Sequence, residues 1–265
     1  MTASTSRIDG AIAGVTAARI EEAGLNALQT QRQLFYDGWL LRLSAGKARR
    51  ARSVNPHFGS TLPLAEKIAF CERVFARHGL PLLFRMTPFA QPANLSDELA
   101  ARGFAAFDET LVQAAPLDRP PEVPPAAPDV GVVAPDADTF VDAVCALRDA
   151  PAAQREALRE RLLHSPLDKR FVLVRVGDRV VCAAQVAVEG ALAGVFDVVT
   201  ADDARGRGYA TLACGHLLDW AWQHGASAAY LQVDAGNAPA RAVYRRFGFA
   251  TVYAYHYRAR PQEVE

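Results

Sequence analysis

In GVFDVVTADDARGRGYA, residues 194–210, an apolar, Val-rich run gives way to a loop, then to Arg205-Gly206-Arg207-Gly208-Tyr209-Ala210. The run has the character of a buried strand. After the loop, a helix is expected over about 208–224, with an apolar stripe of Tyr209, Leu212, Ala213, His216, Leu217 and Trp220. The first turn of a helix carries unpaired N–H groups and the positive end of the macrodipole. Glycines let the backbone come close to an anion and adopt φ > 0. With two arginines beside them, the expectation is a cradle for a pyrophosphate. The G-K-[ST] of a Walker loop and the G-x-G-x-x-G of a dinucleotide fingerprint are both missing.

Downstream, NAPARAVYRRFGF occupies residues 237–249. Asn237 is placed to cap a helix, Pro239 suits its first turn, and Gly248 stops it. Tyr244 lies two turns below the cap. Around these motifs, strands are expected at Phe171–Val176, Arg179–Val188, Gly194–Thr200, Ala228–Val233 and Thr251–Arg258. Helices are expected at Asp138–Arg148, Ala152–His164 and Pro239–Arg246. In the first half, helices are expected over 15–29, Pro63–His78 and Leu95–Ala101. Strands are expected at Trp39–Ser44, Arg49–Val54, Leu82–Met86 and Phe104–Val112. The class is α/β (α+β).

PLDRPPEVPPAAP, residues 116–128, has six prolines in thirteen residues. Proline fixes φ and lacks a donor, so the stretch is expected to link two units, 1–115 and 129–265. The halves share landmarks. His78-Gly79 aligns with His224-Gly225 at an offset of 146, and Gly103-Phe104 with Gly248-Phe249 at 145. This register implies a duplication.

The 265 residues carry 29 basic and 29 acidic side chains. A protein gripping duplex phosphates is usually basic, so no nucleic-acid partner is expected. Cys71, Cys145, Cys182 and Cys214 are far apart and form no C-x-x-C, so no metal or disulfide framework is expected. No apolar run is long enough for a membrane span, and the opening MTASTSRIDGAIAGV lacks the pattern of a secretory leader. A cytoplasmic location is therefore the expectation. Oligomeric state is not legible.

R-x-x-G-x-A at Arg205–Ala210, then N-x-x-A-x-x-x-Y-x-x-x-G-F beginning at Asn237, together resemble the GCN5-related N-acetyltransferase (GNAT) superfamily over residues 128–260. The resemblance implies two tandem domains of this type, each a mixed, mostly antiparallel sheet flanked by helices. It implies acetyl-CoA as co-substrate, with no metal, and a primary amine of a small molecule or protein as acceptor, attacking the thioester directly. Acetyl-CoA would bind where two parallel strands part, near Val198, Val199 and Thr200. The backbone of Val198 and Thr200 would pair with the pantetheine arm, and the N–H groups of 206–210 would bind the pyrophosphate. Tyr244 would protonate the leaving thiolate. In the histone-modifying branch a glutamate on the preceding strand is the base; counting back from Arg205 places it at Gly194, which has no side chain. Asp197 is the base candidate instead, with Glu189 and Asp234 as alternatives. Asp197 could also be a hydrogen-bonded structural acid. A non-catalytic acyl-CoA sensor and an interaction module are the competing function classes.

Carried to the first half, the register puts Gly59-Ser60-Thr61-Leu62 at the cradle and Leu99 at the tyrosine, so that half is expected to be degenerate. RRARSVN, residues 49–55, suggests a substrate-binding role for it. As a strand it would put Arg50 and Arg52 on one face, with Arg85 on the neighbouring strand, to grip an anionic part of the acceptor.

Overall fold

The computed structural model describes residues 15–264; the opening segment read for a secretory leader lies outside them but for Val15. The elements in order are α1 (Ala17–Ala27), β1 (Gln33–Tyr36), β2 (Trp39–Arg42), β3 (Val54–Pro56), α2 (Leu64–Arg77), β4 (Phe84–Met86), α3 (Leu95–Ala101) and β5 (Ala105–Pro116). The second half has β6 (Val130–Val133), α4 (Ala137–Arg148), α5 (Ala152–Leu163), β7 (Asp168–Val176), β8 (Arg179–Glu189), β9 (Leu192–Thr200), α6 (Tyr209–Gln223), β10 (Ala228–Asp234), α7 (Ala238–Arg245) and β11 (Ala250–Ala259).

Among the described residues the eleven strands form one sheet, ordered β1-β2-β3-β4-β11-β5-β10-β9-β8-β7-β6. Each half has one parallel pair, β3 with β4 and β9 with β10. The antiparallel place beside each pair is filled by the last strand of the other half. Thus β5 pairs with β10 from Ala228↔Pro116 to Asp234↔Thr110, and β11 pairs with β4 at Arg85↔Tyr257. The two exchanged strands also pair with each other. No cut between the halves leaves the ladder intact.

Strand alternation separates the two faces. Ala193 and Val195 of β9, with Ala229, Leu231 and Val233 of β10, join the core under α6. Leu192, Phe196, Ala228 and Tyr230 point to the other face, into the core under α1. Further along that face, Leu173 and Ala183 pack against α4 and α5. The stretch 117–127 carries no regular structure, but it is fastened. The Leu117 N–H donates to the Ser227 carbonyl at 2.8 Å, and Gly215 of α6 admits Pro124 so closely that a Cβ would lie 3.1 Å from its Cδ.

Two expectations need correction. The strand expected at Arg49–Val54 is absent up to residue 53: Arg49–Ala51 is a 3₁₀ turn, and the strand begins at Val54. Local bonds decide this, Ala51 N–H to the Ala48 carbonyl and Arg52 N–H to the Arg49 carbonyl, both 2.9 Å. The period-2 argument for Arg50 and Arg52 sharing a face therefore fails. The partner of β2 on its other side is β1, joined by the two-residue turn Asp37-Gly38, with φ of 42° and 85°. An Asp-Gly pair with both residues at φ > 0 is the hairpin turn whose twist suits the flanking strands.

Candidate active site

The parallel pair β9–β10 is short. It runs from Leu192↔Ala228 to Val195↔Leu231 and stops, although β9 continues to Thr200 and β10 to Asp234. The cause lies in β9. Against β8, Phe196 opposes Gln185 and Val199 opposes Ala183, so two residues of β9, Asp197 and Val198, face one of β8. This is a β-bulge, which bends its strand and re-aims the backbone. Asp197 takes φ 50° there.

Where the strands part, a cleft of ≈ 490 Å³ opens between β9, the start of α6 and α7. Val198, Val199 and Thr200 line one side, Arg205, Gly206, Gly208, Tyr209 and Ala210 the next, and Asn237 and Tyr244 the third. Gly206 and Gly208 have φ of 76° and 83°, and a Cβ on either would meet nothing within 4 Å. The backbone there is open toward the cleft. Gly208 caps α6 in the left-handed region. The Asn237 side chain accepts from the Ala240 N–H at 3.1 Å and so caps α7. That helix brings Tyr244 to the cleft, 8% exposed. Burial, then the neighbouring Cys214 and Cys182 thiols, push the tyrosine well above its ordinary pKa. Arg207 is the one cradle candidate that turns away, into a neighbouring groove with Arg179 and Asp203. Arg205 is 69% exposed and pairs with Asp202 at 2.6 Å.

Gly194 cannot host a base. A Cβ there would fall 2.5 Å from the Phe196 ring and 2.6 Å from the Tyr230 ring. Asp197 has a carboxyl, but it is already engaged. Arg148 of α4 donates to Oδ1 at 3.0 Å. Arg161 of α5 and Gln185 of β8 donate to Oδ2 at 2.7 and 2.5 Å. Burial opposes its charge, but Arg161, Arg148 and the Gln185 bond prevail and hold it far below the usual carboxylate range. A carboxylate so stabilised is a weak proton acceptor, and its three donors fit the alternative of a hydrogen-bonded structural acid. Glu189 holds α1 through Arg19 and Asn26. Asp234 accepts from the Gly236 N–H at 2.7 Å.

The arginines of the first half meet protein groups. Arg85 is buried against Glu21. Arg50 reaches Gln232, the residue just past the fork on β10, and Tyr255. Arg52 closes the 3₁₀ turn. None of these three lines the cleft.

The first half also shows why its own cradle is closed. The Asp37 side chain, projected by the β1–β2 turn, sits at the entry to α2. It accepts from Thr61 N–H and Leu62 N–H, each at 2.9 Å, and from Thr61 Oγ1 at 2.8 Å. Lys67 pairs with it at 3.3 Å. Those backbone bonds, Leu62 first and then Thr61, hold its carboxyl far below the ordinary range. The protein's own carboxylate thus occupies the place of an anion at this helix start, and the tyrosine position is Leu99, fully buried. In calorimetric titration with CoA the first half is expected to contribute no site, in wild type or in Asp37→Asn, whose amide still accepts hydrogen bonds. A second site in either protein would contradict the closure.

Among the described residues, no group of three or more His, Cys, Asp or Glu could hold a metal. No helix among them is long and apolar enough to cross a membrane.

The fold, with its bulged strand parting from a parallel neighbour above a glycine-capped helix, is that of the GCN5-related N-acetyltransferases. The family profile described as "Probable histone acetyltransferase Rv0428c C-terminal" matches residues 16–259, and the chain belongs to that family. The uncharacterized N-acetyltransferase YobR of Bacillus subtilis (strain 168) is 25% identical over 225 residues, 83% of this chain and 89% of YobR. A GCN5-related N-acetyltransferase from Kribbella flavida superposes with a TM-score of 0.69 at 20% identity, over 92% of this chain and 95% of its own. A tandem GNAT protein from the clavulanic acid biosynthesis pathway superposes with 0.59 at 16% identity, over 78% and 74%. The protein is an acyltransferase of this superfamily.

Proposed function

We propose that the cleft at the β9–β10 fork binds acetyl-CoA and that the acetyl group passes to a primary amine of a small molecule or a protein. One observation carries the reading: the fork, the glycine-capped start of α6 and Tyr244 line one cavity. Exposed backbone of Val198 and Thr200 would continue the β-ladder along the pantetheine arm. The N–H groups of 206–210 would hold the pyrophosphate, with Arg205 adding charge at the rim. The neutral amine nitrogen attacks the thioester carbon, the carbon–sulfur bond breaks, and the proton that the nitrogen sheds passes to solvent. A backbone N–H of β9 would stabilise the oxyanion, while Tyr244 gives its proton to the departing sulfur. Residues 129–265 would be the catalytic unit and 1–115 a degenerate copy, joined through 116–128. The acceptor would approach from the α4–α5 side of the sheet, opposite α6.

The test combines binding with turnover. Calorimetry should show CoA binding, and free thiol should appear when acetyl-CoA meets a broad amine panel. Gly208→Val should weaken CoA by about tenfold or more, since a β-branched residue at φ > 0 is strained by more than ~1 kcal/mol. Binding without turnover across the panel would favour a sensor. No binding at all would remove the proposal.

A further inference from the structure

We infer that Asp197 is a positioning residue: its side chain, clamped from three elements, sets the bulge that forks β9 from β10. The inference rests on the reading of the cleft as the acetyl-CoA site.

A non-glycine residue with φ of 50° in mid-strand is uncommon. Such a conformation persists where its surroundings over-determine it. The surroundings here are Arg148 from the end of α4, Arg161 from α5 and Gln185 from β8, all donating to the one carboxylate. The bulge is local to this residue. Pairing with β8 is regular up to Phe196 and resumes at Val199, and pairing with β10 ends at Val195. Nothing on the β10 side forces the parting, because β10 stays in register with β5 through Asp234. The fork therefore originates in β9, at the clamped residue. Downstream lie Val198 and Thr200, whose backbone borders the cleft.

The clamp also reaches the other side of the sheet. Asp197, Arg148 and Arg161 line a small groove together with Lys47 and Ala48 of the first half. The clamp thus ties α4 and α5 to the bulge of β9. Its strong preference for the ionised form fits holding arginines and does not fit taking up a proton.

Three variants test this by CoA calorimetry and single-turnover acetyl transfer across pH. Asp197→Ala should bind CoA about tenfold more weakly and transfer on the order of 10²-fold more slowly, as small misplacements in a reacting site do. Asp197→Asn suits the left-handed region but keeps one acceptor oxygen, so it can receive from Arg161 and Gln185 or from Arg148, not from both sides. It should recover part of both, falling between Asp197→Ala and wild type, with the pH profile unchanged in shape. Arg148→Met, which removes one jaw, should fall between, and it decides the matter if Asp197→Ala does not fold. The inference is overturned if Asn is as slow as Ala while both bind CoA normally, which would mark a proton acceptor. It is equally overturned if the variants only melt earlier and keep wild-type affinity and rate. Failure of the wild-type chain to bind CoA would strike the cleft reading and this inference with it.

Discussion

Tyr244→Phe should lower the rate of acetyl transfer by roughly 10²- to 10⁴-fold, the range a positioned general acid contributes. CoA affinity should change by less than about threefold, because the ring is kept. That ring packs edge-on against Phe249, centroids 6.1 Å apart, and sits in the core under α6, so phenylalanine fits where tyrosine does. Only the hydroxyl is lost. The environment keeps that hydroxyl protonated through the working range. Burial, the largest cause, raises its pKa, and burial pushes the neighbouring thiols up too, Cys182 to about 11. A group with a raised pKa stays protonated until the pH passes it. The wild-type pH profile should therefore show no decline from Tyr244 deprotonation below about pH 10. Single-turnover measurements are the right readout, since slow product release would mask a loss in the chemical step. A Phe variant retaining a third or more of the single-turnover rate would remove Tyr244 as the acid.

Tyr244 is findable from the sequence because its placement is local. Asn237 caps the helix, Pro239 opens it, Gly248 closes it, and the turns between fix where residue 244 points. The same holds for Gly206 and Gly208, which precede α6 directly. The helix expected over Leu95–Ala101 matches α3, and that expected over Asp138–Arg148 matches α4 to within a residue. The role of Asp197 is not legible in the same way, because its chemistry depends on Arg148 and Arg161, which are 49 and 36 positions away. Nothing in Phe196-Asp197-Val198 announces that two arginines arrive there. The exchange of β5 and β11 is non-local for the same reason: an apolar strand reveals that it pairs, and not with which copy of the fold. Asp37 is a signal that pattern reading could have used. Asp37-Gly38 between Tyr36 and Trp39 is a readable hairpin turn, and it locates β1. That its carboxylate then plugs α2 is beyond pattern, since it depends on how the hairpin meets the helix. Arg49–Ala51 departs from the expected strand because a run of arginines has no hydrophobic period, so local 3₁₀ bonds are free to decide.

Arg85→Met should destabilise the protein by about 3–5 kcal/mol, the range for removing one partner of a buried ion pair. Arg85 is 1% exposed and Glu21 4%. The pair is bidentate, with Nη2 to Oε2 at 3.0 Å and Nη1 on Oε1. The Tyr253 hydroxyl donates to Oε2 at 2.6 Å, and the guanidinium lies 3.9 Å from the centre of the Tyr255 ring. Glu21 belongs to α1, Arg85 to β4, and both tyrosines to β11. The pair therefore fastens a helix of the first half over the strand that the second half inserted there. Burial alone would raise the Glu21 pKa, yet the Arg85 charge and hydrogen bond outweigh it and bring it down to about 2. Remove the arginine and the burial penalty stands unopposed, so Glu21 must either take up a proton or sit charged among aromatic rings. Replacing both residues, Glu21→Leu with Arg85→Met, removes the stranded charge as well, and that double variant should be more stable than Arg85→Met alone. The pH dependence has the same origin. A carboxyl depressed from 4.5 to about 2 contributes stability that is complete above about pH 5 and is lost as the pH falls toward 2. In the double variant that part of the acid sensitivity should vanish. Denaturant unfolding of the three proteins at pH 7 and pH 3 measures both effects. A single transition is expected throughout, because β5 and β11 pair across the halves and neither half keeps its ladder when the other unfolds. An Arg85→Met protein within about 1 kcal/mol of wild type would mean that water or relaxation solvates Glu21, and that the exchanged strand is held by its ladder alone.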